Sequence, residues 1–269
     1  MKVGISELVI PSEWSFEEVL KRIRTDGYAA LELALRDSGH FSLESGKAEL
    51  QALAKKAADG GVELVSICPA FRGRPKDFMT NDAAVRKASH QTIADCMAIA
   101  RMVGVDTILL VLGGLTPDLY YDEAYRNALD SMRRLGPVAE DMGVKLAIEY
   151  VWNKFLLSPM EFAQFLDEVG SSHVGFYFDP GNMAIFGYPE HWVRICGQHL
   201  MAVHMKDFKR QGFQWTPLGQ GDVDFRAVMA ELGKVGFDGA LVSEVDQSLA
   251  SFADTAKAIR KVIPGQGLP

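Results

Sequence analysis

Four ionisable residues stand at or near the ends of four successive apolar runs: Glu149 in LAIEYVWN, Asp179 in FYFDPGN, His204 in AVHMKDF and Glu244 in LVSEV. Three carboxylates and one imidazole form a mostly oxygen donor set. Such a set suits Mn²⁺, Mg²⁺ or Co²⁺ in an expanded geometry better than a sulfur-rich tetrahedral zinc site. Gathered without a cation, the carboxylates would repel one another strongly, and a divalent ion removes that penalty. Each residue also has a plainer reading on its own. Asp179 before Pro-Gly fits an Asx turn or a helix N-cap. His204 fits a hydrogen-bonded structural histidine, and Glu149 and Glu244 fit ion pairs with Lys or Arg. Four such coincidences on consecutive runs weigh towards a shared metal site.

The elements that would position these groups alternate along the whole chain. Strand-like apolar runs cover 3–10, 29–35, 62–68, 106–112, 144–150, 174–179, 200–205 and 240–245, with amphipathic segments between them. In FEEVLKRIRTDG the apolar Phe16, Val19, Leu20 and Ile23 keep helical spacing. Gly27, Gly61, Gly104, Gly143 and Gly236 precede the next runs as helix C-termini do. Pro137 predicts a kink or break in the fourth helical segment, and the last helix is expected over about 249–262. Eight βα units without a linker or composition break predict an α/β fold, a single (β/α)8 TIM barrel in which residues 1–269 form one catalytic domain. An open doubly wound sheet is the competitor, but no GxGxxG follows the first run. In a parallel barrel, catalytic groups come from the carboxyl ends of strands. Alternate side chains face the interior, so the four residues fall on one rim.

At 48% apolar and 10% aromatic residues the composition is globular. The formal charge of −7 argues against a protein that grips phosphate backbones, so nucleic acid is not an expected partner. No uncharged apolar stretch reaches 18 residues, which excludes a membrane helix, and no signal-peptide pattern opens the chain. Cys68, Cys96 and Cys196 are odd in number and far apart, as in a reducing compartment. The cytoplasm is the expected location.

The segments AIEYVWN, GFYFDPGNMAIFGY, AVHMKDF, PLGQGDVDF and GFDGALVSEV resemble, in order and spacing, the xylose-isomerase-like superfamily of sugar isomerases and epimerases. The likeness covers essentially the whole chain and is nearest to the ketose 3-epimerases and the L-ribulose-5-phosphate 3-epimerase and hexulose-phosphate isomerase type. The resemblance implies one divalent ion per chain, manganese foremost with Mg²⁺, Co²⁺ or Zn²⁺ as alternatives, held by Glu149, Asp179, His204 and Glu244. It also implies that Glu149 and Glu244 are catalytic. One would take the proton beside the substrate carbonyl, and the other would return a proton to the opposite face. Such a step needs an electrophile to stabilise the anion and two bases on opposite sides. The expected partner is a small carbohydrate, with a homodimer or homotetramer as the expected assembly.

The resemblance assigns substrate contacts too. Asn182 stands where the free-ketose enzymes place a substrate-binding His, whereas the phosphate-sugar relatives have Asn. Arg210 matches an Arg that contacts substrate oxygens, its alternative being a solvated loop charge. Lys206 would face the side of the strand that His204 faces and neutralise developing charge, or pair with a rim carboxylate. Glu32 would bind a hydroxyl or a water near the metal, or form an ion pair. Phe155 falls where the free-ketose enzymes place a second substrate-binding Glu, so that contact is expected to be missing.

A phosphate site is sought in two loops. FRGRPK brings Arg72, Arg74 and Lys76 to the same rim, with Arg72 taken as a substrate contact. PLGQGDV offers the backbone N–H groups of Gly219 and Gly221. Both suit a phosphorylated or acidic sugar, and both also fit ordinary surface loops. Three rival functions remain. A lyase like inosose dehydratase would use the same metal and base but expel a hydroxyl. An endonuclease IV type would need more ligating histidines than the six His present supply. A non-catalytic sugar-binding barrel would be expected to have lost a ligand.

Overall fold

The computed structural model describes residues 1–265. Its strands are β1 (Lys2–Ser6), β2 (Ala30–Leu35), β3 (Glu63–Pro69), β4 (Thr107–Leu110), β5 (Lys145–Glu149), β6 (Val174–Phe178), β7 (Leu200–Met205), β8 (Asp207–Lys209), β9 (Gln214–Thr216) and β10 (Ala240–Ser243). Eight of them pair in parallel and close in the order β1-β10-β7-β6-β5-β4-β3-β2, while β8 and β9 form a separate antiparallel hairpin. This is the expected (β/α)8 barrel. The helices around it are α1 (Phe16–Asp26), α2 (Lys47–Asp59), α3 (Ala83–Val103), α4 (Tyr121–Met142), α5 (Pro159–Val169), α6 (Pro180–Ala184), α7 (Pro189–Cys196), α8 (Phe225–Lys234) and α9 (Phe252–Val262).

Local chemistry sets these boundaries. Ser15 accepts the Glu18 N–H through its hydroxyl and starts α1, and Gly27 at φ 97° ends it in the left-handed region. Between them Phe16, Val19, Leu20 and Ile23 are buried, each contributing about 1.5–3 kcal/mol by leaving water. α5 and α9 start the same way on Ser158 and Ser251.

The structure departs from the sequence reading at several places, and local chemistry explains the first two. The first apolar run stops being a strand at Ser6, whose hydroxyl accepts the Leu8 N–H and opens a 3₁₀ turn over Glu7–Val9. α4 runs through Pro137 without a break. Its buried face continues on both sides of the proline, through Ala128, Met132, Leu135 and Ala139, and that packing outweighs a cost of about 3 kcal/mol for an interior proline. After β6 come two short helices rather than one, and after β7 the hairpin intervenes before α8. No helix among the described residues is long and apolar enough to cross a membrane, and all three cysteines are buried and unpaired.

Candidate metal centre

Glu149 closes β5, Asp179 follows β6, His204 lies in β7, and Glu244 follows β10 with its N–H donated to the Met205 carbonyl at 3.3 Å. The barrel order β10-β7-β6-β5 makes these strands neighbours. One ligand atom from each residue lies within 4.8 Å of the others.

The two oxygens of Asp179 divide their work. Oδ1 accepts the N–H groups of Gly181 at 2.8 Å and Asn182 at 3.2 Å, capping α6. Oδ2 is buried without a hydrogen-bond partner. The N-cap and ligand readings of this residue therefore coexist, one on each oxygen. His204 is divided likewise. Nε2 lies 3.0 Å from Glu32 Oε1, while Nδ1 is buried without a hydrogen-bond partner, 3.5 Å from Glu149 Oε1 and 3.4 Å from Glu244 Oε2. Buried polar atoms are rarely left alone. Two atoms without a hydrogen bond in one four-residue cluster, the imidazole nitrogen and a carboxylate oxygen that has only the Lys206 ammonium 3.3 Å away, fit a divalent cation.

The charges are strongly coupled. Burial, with Asp179 and Glu244 adding repulsion, pushes the Glu149 carboxyl up to about 7 against the opposing pull of His204. Burial works against a charged His204, but Glu32 and Glu244 outweigh it and raise its pKa. Lys206 Nζ sits 2.5 Å from Glu244 Oε2 and 3.3 Å from Asp179 Oδ2. Burial again opposes its charge, and the surrounding carboxylates of Asp179, Glu244 and Glu149 overcome it. A Cβ on Gly181 would lie 2.6 Å from Lys206 Cβ and 2.9 Å from the Trp215 ring, so glycine is what lets the lysine pack here. The Trp215 ring lies beneath Lys206 Nζ at 5.1 Å and stacks on Trp152, with ring centroids 5.1 Å apart.

The remaining sequence-selected residues are distributed less simply. Asn182 joins the cluster by donating from Nδ2 to Glu149 Oε1 at 3.0 Å and to the Tyr150 carbonyl at 3.2 Å. Glu32 is fully buried, with Oε1 facing His204 and Oε2 accepting from Tyr177 at 2.7 Å and Ser66 at 2.8 Å. Both oxygens face protein partners, so in place of the expected hydroxyl contact Glu32 meets His204 of the cluster. Arg210 braces two loops, donating from Nε to the Ala184 carbonyl at 2.7 Å and from its terminal nitrogen to Gly187 at 2.6 Å. Phe155 is buried against Tyr121 and Tyr125, away from any polar role.

The loops considered for phosphate are mostly engaged. Asp207 Oδ2 accepts the N–H groups of Gly219 and Gly221, each at 2.8 Å, which removes the two backbone donors expected to meet a phosphate. Arg74 pairs with Glu44 and Asp95, and Lys76 donates to the carbonyls of Pro69 and Phe71. Arg72 is exposed, and its guanidinium makes no hydrogen bond or ion pair among the described residues; it is not part of the cluster. Sequence reasoning missed Tyr177 and Ser66. The usable signal was period two: Tyr177 stands two residues before Asp179 and so shares its face.

A barrel with a carboxylate–histidine cluster at the carboxyl ends of four adjacent strands defines a class of barrel enzyme. The profile of the family described as xylose isomerase-like TIM barrel matches residues 20–262, and the chain belongs to that family. It is an enzyme of the isomerase and epimerase kind. The chain is 27% identical over 266 residues to the L-ribulose-5-phosphate 3-epimerase UlaE of Salmonella paratyphi C, covering 95% of this chain and 92% of that protein. Among solved structures, a D-psicose 3-epimerase crystallised in the presence of D-fructose matches with a TM-score of 0.80 at 20% identity, over 98% of this chain and 100% of that one. The IOLI protein with a bound zinc atom matches with a TM-score of 0.79 at 18% identity, over 98% of each chain. At these identities the structural likeness is one of fold.

Proposed function

We propose that the chain is a divalent-metal-dependent sugar or sugar-phosphate epimerase whose reaction is 3-epimerisation of a ketose. The observation that carries this reading is the convergence of Glu149 and Glu244 on one centre from β5 and β10, strands separated by β6 and β7 around the barrel. Relatives named for 3-epimerisation of ribulose phosphate and psicose support it. The buried free cysteines support a reducing, cytoplasmic setting. Exposed Phe186, Tyr188 and Phe213 offer apolar surface for a dimer or tetramer.

Glu149, Asp179, His204 and Glu244 would hold one ion, Mn²⁺ being the first candidate. When bound, it would supply an electrophile for the substrate's carbonyl and neighbouring hydroxyl oxygens. Glu149 is suited to move a proton because its carboxylate stands in the cluster at the barrel rim, held there by the Asn182 amide. It would take the proton from the carbon beside the carbonyl. Glu244, across the cluster, would deliver a proton to the other face, inverting that carbon. The Lys206 ammonium, held against Glu244, is placed to hold negative charge developing on a substrate oxygen. Asn182 keeps Glu149 in place throughout.

The test is incubation with ketoses and ketose phosphates in D₂O with added Mn²⁺. Deuterium at C3 together with the C3 epimer is the expected result. No exchange into any of these substrates would sink the proposal, and loss of water with a new carbonyl absorbance would assign the chain to the dehydratase type.

A further inference from the structure

We infer that Glu32 is a positioning residue for the metal centre: it fixes the tautomer and ring orientation of His204 and is itself locked by Tyr177 and Ser66. The inference rests on the metal reading above and extends it to side chains that touch neither ion nor substrate.

Glu32 Oε1 lies 3.0 Å from His204 Nε2. A carboxylate oxygen can only accept here, so in the neutral imidazole that a metal requires Nε2 carries the proton and the lone pair is on Nδ1. Nδ1 is the nitrogen without a hydrogen-bond partner, the one that faces Glu149 and Glu244. Were the proton on Nδ1 instead, the imidazole would present a donor where a cation needs a ligand. Glu32 thus decides which nitrogen can coordinate.

Glu32 is in turn held from two other strands. Its Oε2 accepts from the Tyr177 hydroxyl at 2.7 Å and from Ser66 Oγ at 2.8 Å. Ser66 is the register partner of Glu32 across β2 and β3. The Tyr177 ring also packs on the imidazole, with centroids 4.4 Å apart and planes at 52°. One tyrosine therefore grips the ring by its face and the carboxylate by its hydroxyl. All four residues are buried in the barrel. A fully buried carboxylate is costly unless paired and fully hydrogen-bonded, and here each oxygen has a partner. Both oxygens thus face protein partners rather than a ligand. Outer partners of this kind orient a metal-bound imidazole and raise its basicity, and losing one typically weakens metal affinity about 10- to 100-fold.

The experiment titrates the metal-stripped full chain with Mn²⁺ and Co²⁺ and compares Glu32→Gln and Tyr177→Phe with the unaltered protein. The Co²⁺ visible spectrum and the melting temperature without metal are recorded alongside. Glu32→Gln is expected to fold and to bind both ions about 10- to 100-fold more weakly with an altered Co²⁺ spectrum, and Tyr177→Phe to lose at least about threefold. A merely structural role would lower the melting temperature and leave affinity and spectrum alone. That result, or a folded Glu32→Gln binding within about twofold of the unaltered protein, overturns the inference while the metal site stands. Should Glu32→Gln fail to fold, Tyr177→Phe decides by the same criterion. If the unaltered protein binds neither ion, the metal reading itself fails and the inference falls with it.

Discussion

The side-chain amide of Asn182 donates to Glu149 Oε1 at 3.0 Å and to the Tyr150 carbonyl at 3.2 Å, so one amide ties the carboxylate to the backbone just beyond it. Both partners are acceptors, which fixes the orientation of the amide. The backbone carbonyl of Asn182 accepts from Trp152 Nε1 at 3.0 Å. Hydrogen bonds to charged groups contribute about 1.5–3 kcal/mol. Asn182→Ala should therefore lower kcat for the epimerisation about 10- to 100-fold without changing the circular dichroism spectrum. A variant with kcat within about twofold of the unaltered protein would show that Glu149 needs no such tether.

Glu244 combines two demands, lying against Lys206 at 2.5 Å while contributing to the four-residue cluster. Glu244→Gln keeps the volume and one oxygen but cannot carry a proton between faces. Solvent-deuterium exchange at the reacting carbon should fall by about two to four orders of magnitude, with the melting temperature nearly unchanged. Near-normal exchange would remove Glu244 from the proton chemistry.

The barrel was legible because its signal is repeated: eight apolar runs, each at strand length, alternate with amphipathic segments. The four clustered residues were legible for the same reason, since the ends of consecutive parallel strands share a rim. What the sequence hid depends on where a particular donor is spent. Gly219 and Gly221 look like open backbone donors in PLGQGDV, and only the fold shows Asp207 folding back to take both. Arg210 looks like a substrate clamp until its guanidinium is seen holding the carbonyls of Ala184 and Gly187. Glu32 lies 172 residues from His204, and no local pattern announces that pairing. The β8–β9 hairpin was equally hidden, being two strands of three residues each.

Metal binding should strengthen as pH rises. Without metal, Glu149 has its pKa raised from 4.5 to about 7, chiefly by burial, so at mildly acidic pH it holds a proton that an ion must displace. His204 is likewise raised, by Glu32 and Glu244 acting against burial. Both groups bind more protons in the folded than in the unfolded chain. Their contribution to stability is thus present at low pH and declines as pH rises, for Glu149 between about 4.5 and about 7. An ion bound to the ionised groups reverses that loss. The increase in melting temperature on adding saturating Mn²⁺ should therefore be larger at about pH 8 than at about pH 5.5. Equal increments at the two pH values would contradict the coupling.

Asp207 offers a prediction about the loop that carries Gly219 and Gly221. Its Oδ2 accepts both of their N–H groups, and its Oδ1 accepts those of Phe208 at 2.9 Å and Val223 at 3.2 Å. A Cβ on Gly221 would collide with the carboxylate, so the glycine serves this close approach rather than an external anion. Burial raises the pKa of Asp207, and the four backbone N–H groups work in the opposite direction. Asp207→Ala would leave several of those donors without a partner at once, at about 1–3 kcal/mol for each that stays buried. We expect a loss of about 2–4 kcal/mol in urea unfolding, together with faster proteolysis between 217 and 223. Because Asp207 adjoins Lys206 but not the ligand cluster, Mn²⁺ affinity should change far less than stability. If stability held while Mn²⁺ affinity fell, Asp207 would belong to the metal site instead of the loop.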